Sequence, residues 1–107
     1  MIRVKIPEII NIGGFDYPIV FQKPEKDDGG EAWGWFRNNP RILEISPESD
    51  DVRCSSTFIH ECLHAIDNTI LGDRLAEQDV KNLEAGLHQV LEYLGVRFVR
   101  DDKDNQD

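Results

Sequence analysis

Two helix-forming stretches joined by a short break dominate the second half of this chain and limit what it can fold into. Ser46-Pro47-Glu48-Ser49-Asp50-Asp51 supplies capping-type residues, and a helix is expected from about Asp51 or Val52 to Ile70. Leu71-Gly72-Asp73-Arg74 interrupts it, with Gly72 suited to a left-handed C-terminal position and Asp73 to the next N-cap. A second helix is expected from about Arg74 to Tyr93. Its apolar residues Ala76, Val80, Leu83, Leu87, Val90, Leu91 and Leu94 recur three and four apart, on one face, and Gly95 ends it.

The first half has a different period. Ile2-Arg3-Val4-Lys5-Ile6 alternates apolar and polar residues as a half-buried strand does, and Pro7 ends it. Gly13-Gly14 marks a turn and Tyr17 to Phe21 a second strand, while residues 23–30 form a polar loop. Ala32 to Phe36 and Arg41 to Ile45 flank Arg37-Asn38-Asn39-Pro40 as the arms of a hairpin, and Val96 to Val99 adds a short strand or packs irregularly. Strands followed by helices give an α+β fold: a small twisted sheet, then one helix against it, then a second long helix. With 107 residues there is room for one domain, expected over residues 1–100. The acidic stretch 101–107 has no apolar anchor and is expected to be a disordered tail.

The formal net charge of −9, from 12 Lys+Arg against 21 Asp+Glu, leaves no basic stripe for nucleic acid or for an anionic membrane. Cys54 and Cys62 stand eight positions apart on one expected helix, about 12 Å along its axis, too far for a disulfide. Free thiols, no apolar leader run at the start and no apolar stretch of membrane-spanning length point to the cytoplasm.

Within the first helix, His60-Glu61-Cys62-Leu63-His64 reads HExxH. Positions i and i+4 share a helical face, so two imidazoles there can reach one zinc ion (Zn2+) at about 2.0–2.1 Å. Glu61 is rotated off that face and can act as general base toward a water activated by the metal. The flanking Phe58, Ile59, Leu63 and Ile66 make the helix a buried one. A catalytic zinc takes a third protein ligand, and Glu77, Glu84, Asp79 and His88 on the second helix are the candidates. Glu77 and Glu84 both flank the apolar stripe, seven residues apart.

The run Thr57 to Asp67, with Leu75-Ala76-Glu77-Gln78-Asp79-Val80 and Leu83 to Leu91, resembles small, often phage-encoded zinc peptidases and the minimal gluzincins. The likeness is strong from Ser56 to Leu94 and only one of layout upstream. It implies a zincin-like metallopeptidase acting on a peptide or protein substrate, in the host cytoplasm if phage-encoded, with Zn2+ as cofactor. It places the ligands at His60, His64 and Glu77, because the family's Leu-x-Glu falls on Leu75-Ala76-Glu77, and the base at Glu61. The spacing from His64 to Glu84 is instead similar to that of the larger thermolysin-type enzymes. One turn after the ligand, where such enzymes carry an acid, this chain has Lys81 or His88.

Asp67, three residues after His64, is a candidate to hold a ligand histidine from behind. His88, Tyr93 and Tyr17 are candidates for stabilising an oxyanion. Trp33, Trp35 and Phe36 are expected to pack the sheet, with an exposed hairpin edge to which an extended peptide can add as a strand. A different class of function fits the same motif: a metal-holding zincin-like regulatory or interaction module with no usable cleft. A structural helical module without metal would require the motif to be accidental.

Overall fold

In a computed structural model, residues 1–24 and 33–100 are described; the acidic tail and most of the polar loop expected at 23–30 lie outside them. The fold is α+β, and the described residues form two α-helices and six strands in two sheets. In chain order these are β1 (Ile2–Lys5), β2 (Ile9–Ile12), β3 (Phe15–Phe21), β4 (Gly34–Asn38), β5 (Arg41–Ile45), α1 (Asp51–Ile66), α2 (Glu77–Tyr93) and β6 (Val96–Val99).

The larger sheet has the order β2-β3-β5-β4. β2 and β3 form a hairpin turned by Gly13 and Gly14, both at positive φ (61° and 86°), as a two-residue turn that matches strand twist requires. β3 then runs parallel to β5, and β5 returns antiparallel to β4 across Asn39-Pro40. β2 has no counterpart among the sequence expectations. Its Ile9-Ile10-Asn11-Ile12 does not alternate cleanly, and only pairing with residues 15–18 makes it a strand. β1 and β6 form a separate parallel pair, from Ile2 opposite Val96 to Lys5 opposite Val99. Among the described residues, no helix is long and apolar enough to cross a membrane.

α1 begins at an Asp50 cap, whose carboxylate accepts from the Arg53 N–H at 2.8 Å. It serves three surroundings at once. Cys54, Phe58 and Ala65 pack on Ile12, Tyr17, Ile19, Leu43 and Ile45 of the sheet. Ile59 and Leu63 meet Val80, Leu75 and Leu91 from the second helix and its approach. A third face, carrying Arg53, Thr57, His60 and His64, looks into a cleft. Ser55, fully buried, accepts from the Phe98 N–H at 3.0 Å and fastens β6 to the helix. Cys54 and Cys62 are not bridged by a disulfide.

Two expectations about the helices are corrected. α1 does not run uniformly to Ile70: it widens into a π-helical turn over Asp67–Leu71 and ends at Gly72, in the left-handed region at φ 78°. α2 starts at Glu77 rather than near Arg74, because the buried Asp67 carboxylate accepts from the N–H groups of Arg74 and Leu75 (2.8 and 3.2 Å) and holds that segment out of the helix. Asp73, left-handed at φ 60°, donates its N–H to the Asp67 carbonyl instead of capping α2. The apolar stripe of α2 is also only partly used. Val80 is fully buried, while Leu83, Leu87, Val90 and Leu94 are exposed.

Candidate metal centre

The i, i+4 spacing sets the first two groups. His60 and His64 stand one turn apart on α1 with their Nε2 atoms 3.2 Å from each other. Glu77, the first residue of α2, brings one carboxylate oxygen to 3.1 Å from His60 Nε2 and the other to 3.2 Å from His64 Nε2. Two ligands at zinc distance in a tetrahedral site lie about 3.3 Å apart. The two imidazole nitrogens and the carboxylate are therefore close enough to share one small ion, one ligand atom from each residue lying within 4.8 Å of the others.

The tautomer follows from Glu84. Its Oε1 lies 2.7 Å from His60 Nδ1, so that nitrogen donates its proton and Nε2 presents a lone pair toward Glu77 and His64. A carboxylate behind a ligating imidazole is the usual means of fixing its orientation and raising its basicity. Burial pushes the His64 imidazole below its ordinary pKa, against the pull of the Glu77 carboxylate, which favours the neutral ring a metal needs. Electron-rich atoms thus converge from three side chains, and the arrangement fits a divalent cation.

The remaining second-helix candidates are placed elsewhere. Asp79 accepts from the Ala76 N–H at 2.9 Å and caps α2, which fixes Glu77 at the helix start. His88 does not line the cleft, and its Nδ1 is buried with no hydrogen-bond partner among the described residues. Tyr93 is almost fully exposed and Tyr17 fully buried in the core; neither lines the cleft as an oxyanion group would. Asp67 uses its carboxylate on the Arg74 and Leu75 backbone, so its contribution to the site is to deliver Glu77.

Glu61 is 4% exposed. Burial foremost, then the negative charges of Glu77 and Glu84, raise its carboxyl pKa to about 8. With no cation nearby such a group holds a proton at neutral pH; a cation beside it opposes that shift and returns it toward a base. Burial foremost and then the neighbouring Glu61 likewise push the Cys62 thiol up to about 12, so without a cation beside it the thiol stays protonated.

Strand β4 forms the opposite wall and supplies residues whose role is not evident from sequence. A side chain at Gly34 would place its Cβ 2.5 Å from Thr57 Cγ2 and 2.7 Å from Glu61 Oε2, so only glycine lets the strand lie this close to the Glu61 carboxyl. Phe36 stacks on the His64 ring with centroids 5.9 Å apart. Trp33, Trp35 and Phe36 therefore line the cleft rather than only packing the sheet; the cleft encloses about 720 Å³ and is completed by Lys81 on α2. The Trp33-Gly34-Trp35 run is the available signal, but the register of strand against helix is a tertiary property.

Comparison with known proteins gives no match to any protein-family model, curated protein or solved structure.

Proposed function

We propose that the protein is a zinc-dependent peptidase of the minimal gluzincin kind, with His60, His64 and Glu77 holding the metal and Glu61 as general base. The observation that carries this reading is the convergence of His60 Nε2 and His64 Nε2, 3.2 Å apart, on the Glu77 carboxylate, which brings one oxygen to 3.1 Å from the first and its other oxygen to 3.2 Å from the second, with Glu84 fixing the His60 tautomer from behind. Zinc bound there supplies Lewis acidity, polarising a carbonyl and acidifying a water molecule.

The chain's own residues supply the remaining functions. Glu61, buried at the cleft floor, accepts the water's proton at its carboxylate and returns it to the leaving amine. Gly34 keeps the strand close over that carboxylate and excludes solvent from one side. β4 stands at the edge of its sheet, so an extended peptide can add along it and be held beside the base. The same triangle would serve a metal-holding module without catalysis. The cleft of about 720 Å³, within the range of small-molecule sites, favours the enzyme.

The test is hydrolysis of a fluorescein-labelled unfolded protein by the zinc-loaded chain. Wild type is expected to cleave it, and Glu61→Gln is expected to retain stoichiometric zinc without cleaving. Cleavage by Glu61→Gln excludes Glu61 as base; zinc binding with no cleavage by wild type supports the module instead.

A further inference from the structure

The metal end of the cleft is acidic, with Glu61, Glu77 and Glu84 clustered there, yet the cleft also holds two cations that the metal site does not use. Among the described residues, Arg3, Lys23, Arg37 and Arg97 each form an ion pair with a carboxylate, while Arg53 and Lys81, both in the cleft, form none. In a chain of net charge −9, two uncommitted cations on one concave surface are a specific feature. Arg53 is also held in place. Its guanidinium carbon lies over the Trp33 ring, 5.2 Å from the centroid, a cation–π contact that leaves its N–H groups for a carboxylate.

The positions give a direction. Trp33 lies against Arg53, Gly34 against Thr57 and Glu61, and Phe36 against His64, so β4 and α1 run the same way along the cleft. A peptide laid antiparallel to β4, the more stable ladder, runs from the His64 end toward Arg53. Its residues on the leaving-group side of the scissile bond then approach Arg53. Arg53 precedes His60 by seven residues, nearly two turns on the same face and about 10 Å along the axis. Extended chain covers that in about three residues.

We infer that Arg53, set over the Trp33 ring and assisted by Lys81 in the same cleft, selects peptides carrying a carboxylate about three residues beyond the scissile bond on its C-terminal side. The inference rests on the peptidase reading of the cleft. The carboxylate is either an acidic side chain or the free C-terminus of a short leaving fragment; the recognition chemistry is the same.

The experiment uses zinc-loaded Glu61→Gln protein, so that binding is read without turnover. Three kinds of fluorescein-labelled octapeptide of one neutral sequence are compared by anisotropy: an amidated form, a free-acid form, and a set of amidated forms with one glutamate moved along the C-terminal half. The free acid or a glutamate peptide is expected to bind at least fivefold more tightly than the neutral amide. Adding Arg53→Gln should bring that ratio to near one and Lys81→Gln should reduce it; high salt should also reduce it. Preference for the free acid alone assigns a terminal carboxylate, and preference for glutamate assigns a side chain. Equal binding of all three, no binding of any, or a preference that survives Arg53→Gln (a carboxylate resting on the metal) overturns the inference. Wild-type protein separates the two failures. Selective binding without cleavage sinks the peptidase reading and leaves the carboxylate selection standing, whereas cleavage with no selectivity does the reverse.

Discussion

Removing the charge at Glu61 should change how the metal-free protein responds to pH. The carboxyl ionises near 4.5 in the unfolded chain and at about 8 in the fold, where burial foremost and then Glu77 and Glu84 oppose its charge. Between those values the folded state keeps a proton that the unfolded state has released, so stability falls as pH rises. Each pKa unit is worth about 1.4 kcal/mol; by pH 7 the loss is about 3 kcal/mol, and above pH 8 it levels off near 5 kcal/mol. A domain of this size has about 5–15 kcal/mol in all, so one side chain accounts for a large share. Glu61→Gln removes the titration and keeps the shape. Urea unfolding of both proteins in excess chelator, from pH 4.5 to 9, measures it, because groups that do not interact with Glu61 cancel in the difference. The stability of the variant relative to wild type should climb by about 3 kcal/mol between pH 4.5 and 7 and flatten above 8. The slope decides, since the packing of the amide adds only a constant. A difference flat to within about 1 kcal/mol would refute the claim that the carboxylate is desolvated.

The two glutamates of α2 should separate in a chelator competition. Glu84→Ala keeps the ligand triangle and is expected to weaken zinc about 10–100-fold, while Glu77→Ala loses a ligand and should fall further and forfeit the zinc-dependent rise in melting temperature. A larger loss for Glu84→Ala would exchange their roles. Gly34→Ala places a Cβ 2.5 Å from Thr57 Cγ2 and 3.0 Å from the Glu44 carbonyl, neither a freely moving group. It should cost about 1–3 kcal/mol in urea unfolding and reduce cleavage at unchanged zinc content; an alanine variant as stable and active as wild type would show that the strand does not need its close approach.

The parts of this site that depend on one helix are legible in the sequence. His60 and His64 face one point because α-helical geometry puts i and i+4 together, and the apolar residues around them mark the helix as buried. The parts that depend on how elements meet are not. Glu77 and Glu84 share a face of α2, and which one reaches the histidines turns on where that helix begins. That start is set by the Asp67 carboxylate on the Arg74 and Leu75 N–H groups and by the Asp79 cap, contacts that a capping pattern centred on Asp73 does not foresee. β2 needs its partner to become a strand, and the stripe of α2 overstates its burial because α1 covers it mainly at Val80. The aromatic wall of the cleft is hidden for the same reason: Trp33 to Phe36 show strand character, but not which helix they face.

The central claim is that two imidazoles and one carboxylate hold a zinc ion. Zinc K-edge X-ray absorption on protein dialysed against equimolar zinc tests it most directly. One zinc per chain is expected in a four-coordinate nitrogen and oxygen shell at about 2.0–2.1 Å with the scattering of two imidazole rings; His64→Ala should remove one ring's scattering, and Glu77→Ala should lower the zinc bound. No stoichiometric zinc, or a sulfur at about 2.3 Å from Cys62 or Cys54, would contradict it.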